Sequence, residues 1–69
     1  VRKWLKEKRL ESGMTMAQAA EKLSMSESYY AYIEAGERQK KMDISLVSRL
    51  SVLFGMPVQQ IVDFEEAAE

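Results

Sequence analysis

Only three residues, Ser24-Met25-Ser26, separate two segments that each carry the apolar rhythm of a short helix. Upstream, Met16, Ala19, Ala20 and Leu23 recur at i, i+3, i+4 and i+7, which is one helical face. Downstream, Tyr30 and Ile33 repeat three apart on a segment that starts after Ser26, a good N-cap, and stops at Gly36. A three-residue joint leaves no slack, so the two helices must cross at a sharp angle.

The rest of the chain reads as helix as well, with no strand signal. Helix one is expected from about Val1 to Ser12, with Val1, Trp4, Leu5 and Leu10 as its apolar positions and Gly13 ending it. Helix two opens on Thr15-Met16-Ala17-Gln18, a capping box in which Thr15 caps and Gln18 reaches back. Helix four opens at Asp43, turns Leu46, Val47, Leu50, Leu53 and Phe54 inward, and breaks at Gly55. Pro57 then starts a last short helix carrying Val58, Ile61 and Val62, and the acidic stretch from Phe64 onward is expected to fray. The expectation is an all-α, compact five-helix bundle with a helix-turn-helix at residues 15–36. Residues 1–64 form the domain, and 65–69 form an acidic C-terminal tail.

Composition narrows what such a bundle can do. Sixty-nine residues supply one small core, burying only about 60% of the unfolded surface. The absence of Cys and His excludes disulfides, zinc fingers and Ser-His-Asp or Cys-His catalysis. The glycines stand apart, so there is no phosphate-cradling loop, and so short a chain can hardly build a cleft around carboxylates such as Glu65 and Glu66. No catalytic residue, metal, cofactor or small-molecule substrate is expected. No apolar run reaches the ~20 residues of a membrane span, and cysteine-free composition fits a cytoplasmic protein. The net charge of −1 conceals an uneven pattern: residues 1–13 and 37–49 are net positive, residues 14–36 and 50–69 net negative. A local basic patch is what an electrostatic footprint needs.

Several short runs, in order and correctly spaced, resemble the lambda-repressor/Cro-like (XRE) helix-turn-helix regulators over nearly the whole chain. They are Leu5 and Arg9, Gly13-Met14-Thr15, Ala20, Met25-Ser26, Ile33-Glu34-Ala35-Gly36, and Leu50 through Phe54-Gly55-Met56. The run IEAG is similar to that family's Ile-Glu-Asn-Gly. The resemblance implies a bundle whose third helix enters the DNA major groove, and dimers on half-sites ~34–36 Å apart. It differs at the turn, where the usual glycine is Ser24; a left-handed backbone there costs roughly 1–2 kcal/mol. It differs again at Met16, where a polar, phosphate-contacting residue is usual.

Carried over residue by residue, the resemblance implies base contacts from Glu27, Ser28 and Tyr32, with Tyr29 near the DNA backbone. Thr15 and Met16 fall at the phosphate-contacting start of helix two. Arg38, Gln39, Lys40 and Lys41 fall in a loop that lies along the backbone, and Arg9 pairs with Glu34. Each has a plainer reading. Glu27 suits the first turn of a helix dipole, the tyrosines could be ordinary exposed aromatics, and the loop could be merely solvated. Arg2, Lys3, Lys6 and Lys8 are expected on the solvated side of helix one. Val58, Val62 and Phe64 either close the bundle or form a two-fold homodimer patch.

The expected function is a sequence-specific DNA-binding regulator, a repressor by preference, of prokaryotic or mobile-element type. Its partners are double-stranded operator DNA and a second copy of itself. The alternative is the same fold used as a protein–protein interaction module, antitoxin-like or an assembly partner. Acidic overall charge, Met16 and a third helix without Arg or Lys favour that alternative.

Overall fold

A computed structural model describes residues 2–36 and 42–67. Five helices follow one another within them: α1 (Lys3–Glu11), α2 (Met16–Lys22), α3 (Glu27–Ala35), α4 (Ile44–Phe54) and α5 (Val58–Ala67). Among the described residues there is no strand. No single helix there is long and apolar enough to cross a membrane.

Local chemistry sets the helix starts. At α2 the capping box is complete: Gln18 N–H donates to Thr15 Oγ1 at 3.1 Å, and Thr15 N–H donates to Gln18 Oε1 at 2.9 Å. Ser26 accepts from Tyr29 N–H at 3.1 Å to start α3, and Asp43 accepts from Leu46 N–H at 2.7 Å to start α4. α3 ends on Gly36 in a left-handed conformation, φ 71°, and its N–H returns to Tyr32 and Ile33 carbonyls.

The core draws on all five helices. Leu5, Leu23, Tyr30, Ile33, Leu50 and Ile61 are the largest fully buried side chains, and α2 with α3 is the most extensively packed pair. Leu46 and Leu50 of α4 are buried, whereas Val47, Leu53 and Phe54 are half-buried against the core.

Three expectations need correction. Helix one begins at Lys3, because Arg2 N–H leaves the helix to donate to the Glu34 carbonyl at 2.7 Å, and Leu10 is 56% exposed. Arg2 is buried, not solvated: its guanidinium lies between Glu65 and the end of α3. The segment after Phe64 does not fray at once, since α5 continues to Ala67. Phe64 stacks on Trp4 with ring centroids 5.4 Å apart and planes 7° apart. Glu65 Oε2 accepts the Trp4 indole N–H at 2.7 Å. Val1 lies outside the described residues.

Candidate nucleic-acid interface

The joint between α2 and α3 is built from backbone hydrogen bonds. Leu23 closes α2, Ser24 N–H donates to the Glu21 carbonyl, and Met25 N–H donates to the Ala20 carbonyl at 3.0 Å. Closing the helix this way requires a left-handed residue, and Ser24 takes φ 58°. Among the described residues it is the only non-glycine with positive φ. Ser24 is exposed, so Ser24→Gly removes the strain without opening a cavity. It is expected to raise stability by about 1 kcal/mol in denaturant titration, glycine's added unfolded-state entropy offsetting part of the gain. Destabilisation would show that the serine hydroxyl matters more than the backbone.

A second tie holds the joint from behind. Arg49 of α4 donates from Nη1 to the Leu23 carbonyl at 3.1 Å. That places a cation at the negative end of α2. Sequence reasoning missed Arg49 because a single arginine on a half-exposed helix carries no periodic signal.

α3 divides cleanly. Tyr30, Ile33 and Glu34 are buried, while Glu27, Ser28, Tyr29 and Tyr32 are exposed, Tyr29 by 43% and Tyr32 by 37%. Ser28 and Tyr32 are four residues apart and Tyr29 and Tyr32 three, so the three form one surface row. Glu27 lies in the first turn, toward the flank of that row.

The inner side is fixed by charge. Arg9 donates from Nε to Glu34 Oε2 at 3.0 Å and from Nη2 to Oε1 at 3.1 Å, a bidentate pair. Its Nη1 donates to the Met14 carbonyl at 3.0 Å, one residue before the α2 cap. Both side chains are buried. The hydrogen bond to Glu34 holds the Arg9 guanidinium above its ordinary value, against the opposing pull of burial. Tyr30 lies within the field of this pair: its buried hydroxyl approaches Glu34 and Arg9 but makes no well-aligned hydrogen bond among the described residues.

Burial pushes the Tyr30 phenol well above its ordinary 10.0, and the Glu34 carboxylate adds to the shift. A phenol raised in the folded state adds stability that is fully present below pH ~10 and is lost as pH climbs through the folded value. One of the three tyrosines is therefore expected to ionise only with alkaline unfolding, read as phenolate absorbance beside far-UV circular dichroism. Ionisation of all three while the helices persist would contradict this.

Thr15 is exposed at the α2 cap, and accepting from Gln18 leaves its hydroxyl hydrogen available as a donor. Met16 is half-buried and packs partly on the core. Arg38, Gln39, Lys40 and Lys41 fall outside the described residues. Val58 is 46% exposed, Val62 and Phe64 are half-buried, and Phe64 already has a partner in Trp4.

The chain is 40% identical over 45 residues to the uncharacterized HTH-type transcriptional regulator YqaF of Bacillus subtilis (strain 168). The alignment covers 65% of this chain and 59% of that relative, so it spans less than two thirds of the relative's length. No solved structure matches the chain. The helix-turn-helix family pattern matches residues 5–61. Those residues run from α1 into α5 and include the joint, the Arg9–Glu34 pair and the exposed row of α3. The chain belongs to the helix-turn-helix family, of the XRE type its sequence resembles.

Proposed function

We propose that this protein is a DNA-binding transcriptional regulator that represses by laying the exposed row of α3 in the major groove. The observation that carries the reading is the split of α3. One side is locked by Tyr30, Ile33 and the Arg9–Glu34 pair, and the other carries Ser28, Tyr29 and Tyr32 as exposed side chains on a short, fixed rod. Serine and tyrosine hydroxyls can donate to or accept from base edges, and tyrosine rings can also contact thymine methyl groups. The relative's description as a transcriptional regulator supports the same reading. Thr15 contacts phosphate from the α2 cap, and Arg38, Lys40 and Lys41 supply the attraction that α3, with no Arg or Lys, cannot. Glu27 accepts from cytosine N4 or serves α3 as a first-turn acid.

The regulator acts in the cytoplasm as a homodimer on paired half-sites. Its two-fold surface centres on Val58 and Val62 rather than on Phe64, whose ring is taken up by Trp4.

A second reading, a protein–protein interaction module, is favoured by the exposure of Ile44 (85%) and Val52 (83%) on α4. Scattered exposed apolar residues are common, but two on one helix suit a protein contact.

Salt dependence distinguishes the roles. On any duplex, Lys40→Ala or Lys41→Ala is expected to weaken binding about equally across sequences and lower the slope of log K against log salt by roughly 0.9 each. On a preferred duplex, Ser28→Ala and Tyr32→Ala should change which base is favoured by ~1–3 kcal/mol and leave the slope in place. If the lysine variants keep both affinity and slope, residues 38–41 make no phosphate contact and the protein-contact reading gains.

A further inference from the structure

One residue, Arg2, joins three helices. Its carbonyl accepts from Leu5 and Lys6 N–H, starting α1. Its N–H donates to the Glu34 carbonyl at 2.7 Å, and its Nη1 donates to the Ile33 carbonyl at 2.6 Å. Both acceptors belong to the last turn of α3, whose carbonyls have few intrahelical partners. α3 carries no basic residue in that turn, so Arg2 brings the cation that its negative end lacks.

The guanidinium is itself held from α5. Arg2 Nε lies 2.9 Å from Glu65 Oε1 and 3.1 Å from Oε2, and Glu65 Oε2 also accepts from the Trp4 indole. Arg2 is buried, and its side chain is 6% exposed in the pair. An arginine so deeply buried needs its carboxylate to stay where it is. The position of Arg2 at the end of α3 therefore depends on a residue in the last described turns of α5.

We propose that the Glu65–Arg2 contact is a lock that sets the orientation of α3, making Arg2 a positioning residue for base selection by Ser28 and Tyr32 although it touches no DNA. The inference rests on the DNA-binding reading given above. Tyr32 directly precedes Ile33, whose carbonyl Arg2 grips, so a shift of that turn moves the tyrosine ring with it. The Arg9–Glu34 pair holds the same turn from the core side by its side chain, and Arg2 holds it by its backbone. Two grips on adjacent residues fix rotation as well as depth. Coupling of this kind is reciprocal, so a duplex that fits α3 must also tighten the lock.

The test uses Glu65→Gln in the full chain, with a ~30-base-pair duplex selected by the wild type and its single-base variants as probes. For Glu65→Gln, the ratio of affinities for matched and altered duplex is expected to fall roughly tenfold while the salt slope stays put, as loss of a charge-assisted hydrogen bond allows. Amide hydrogen exchange in the last turn of α3 is expected to quicken while α2 is unchanged. In the wild type, exchange of the Trp4 indole N–H is expected to slow on the matched duplex more than on the altered one. A merely structural contribution would weaken both duplexes equally, and that result overturns the proposal. So does an indole exchange rate indifferent to the matched duplex. If the wild type prefers no duplex at all, the DNA-binding reading fails on its own. Exchange in α3 then still decides whether Glu65 holds that helix, and unchanged exchange ends the inference there too.

Discussion

Glu34→Ala is expected to destabilise the domain by about 3–5 kcal/mol, because it strands the buried guanidinium of Arg9 without its carboxylate. A domain of this size is held together by only roughly 5–10 kcal/mol, so the variant should be largely unfolded well below the wild-type melting temperature. Arg9→Ala should cost a comparable amount and also release the Met14 carbonyl. The double variant should cost much less than the sum of the two, since neither charge is then left unpaired. Replacing both with well-packed apolar residues should recover most of the stability, as buried ion pairs contribute little net energy. Thermal and denaturant unfolding of the five chains measure this. Simple additivity of the single losses would show that the pair is not the unit described.

Trp4→Ala is the second large effect, at about 3–5 kcal/mol. The indole is buried, stacks on Phe64 and donates to Glu65, so its removal empties a core site and frees the end of α5 together. Phe64→Ala should cost less. A double-mutant cycle should return a coupling of ~0.5–1.5 kcal/mol, the usual worth of an aromatic pair beyond its buried area. This bears on assembly as well. Loss of dimer or of DNA affinity in Phe64→Ala cannot be read as loss of an intersubunit contact until monomer stability has been measured. Val58→Ala is the cleaner probe, because Val58 is exposed. No coupling between Trp4 and Phe64 would mean that the stacked rings add nothing to the hold on α5 beyond their buried area.

The features legible in the sequence are those written over a few residues. Thr15 with Gln18, Ser26 and Asp43 mark helix starts by local hydrogen bonding, and Gly36 and Gly55 mark ends by backbone conformation. The rhythm of Ala19, Ala20 and Leu23 gave the buried face of α2 for the same reason. The left-handed turn at Ser24 came from comparison with glycine-bearing turns, and the pairing of Arg9 with Glu34 from family resemblance; periodicity alone gives neither.

What was not legible depends on long-range partners. Arg2 and Glu65 are 63 positions apart, and each by itself reads as a solvated charge near a chain end. Only the folded arrangement brings α1, α3 and α5 to one point. Leu10 failed in the opposite direction: it is apolar and helical, yet α1 turns it toward solvent because Trp4, Leu5 and Arg9 occupy the inward side. The burial of Tyr30 and Ile33 followed from their spacing of three, whereas Glu27, Ser28, Tyr29 and Tyr32 were singled out through the family resemblance rather than by periodicity.

Selection of bound duplexes from a random-sequence DNA pool by the full chain tests the central claim most directly. The expected result is enrichment of a palindrome whose half-sites are centred about 10 base pairs, or ~34–36 Å, apart. Sites enriched by Tyr32→Ala should differ from the wild-type sites at the same position in each half-site. Folded protein that enriches no sequence across a range of low to moderate salt would contradict the account and leave α3 as a surface for another protein.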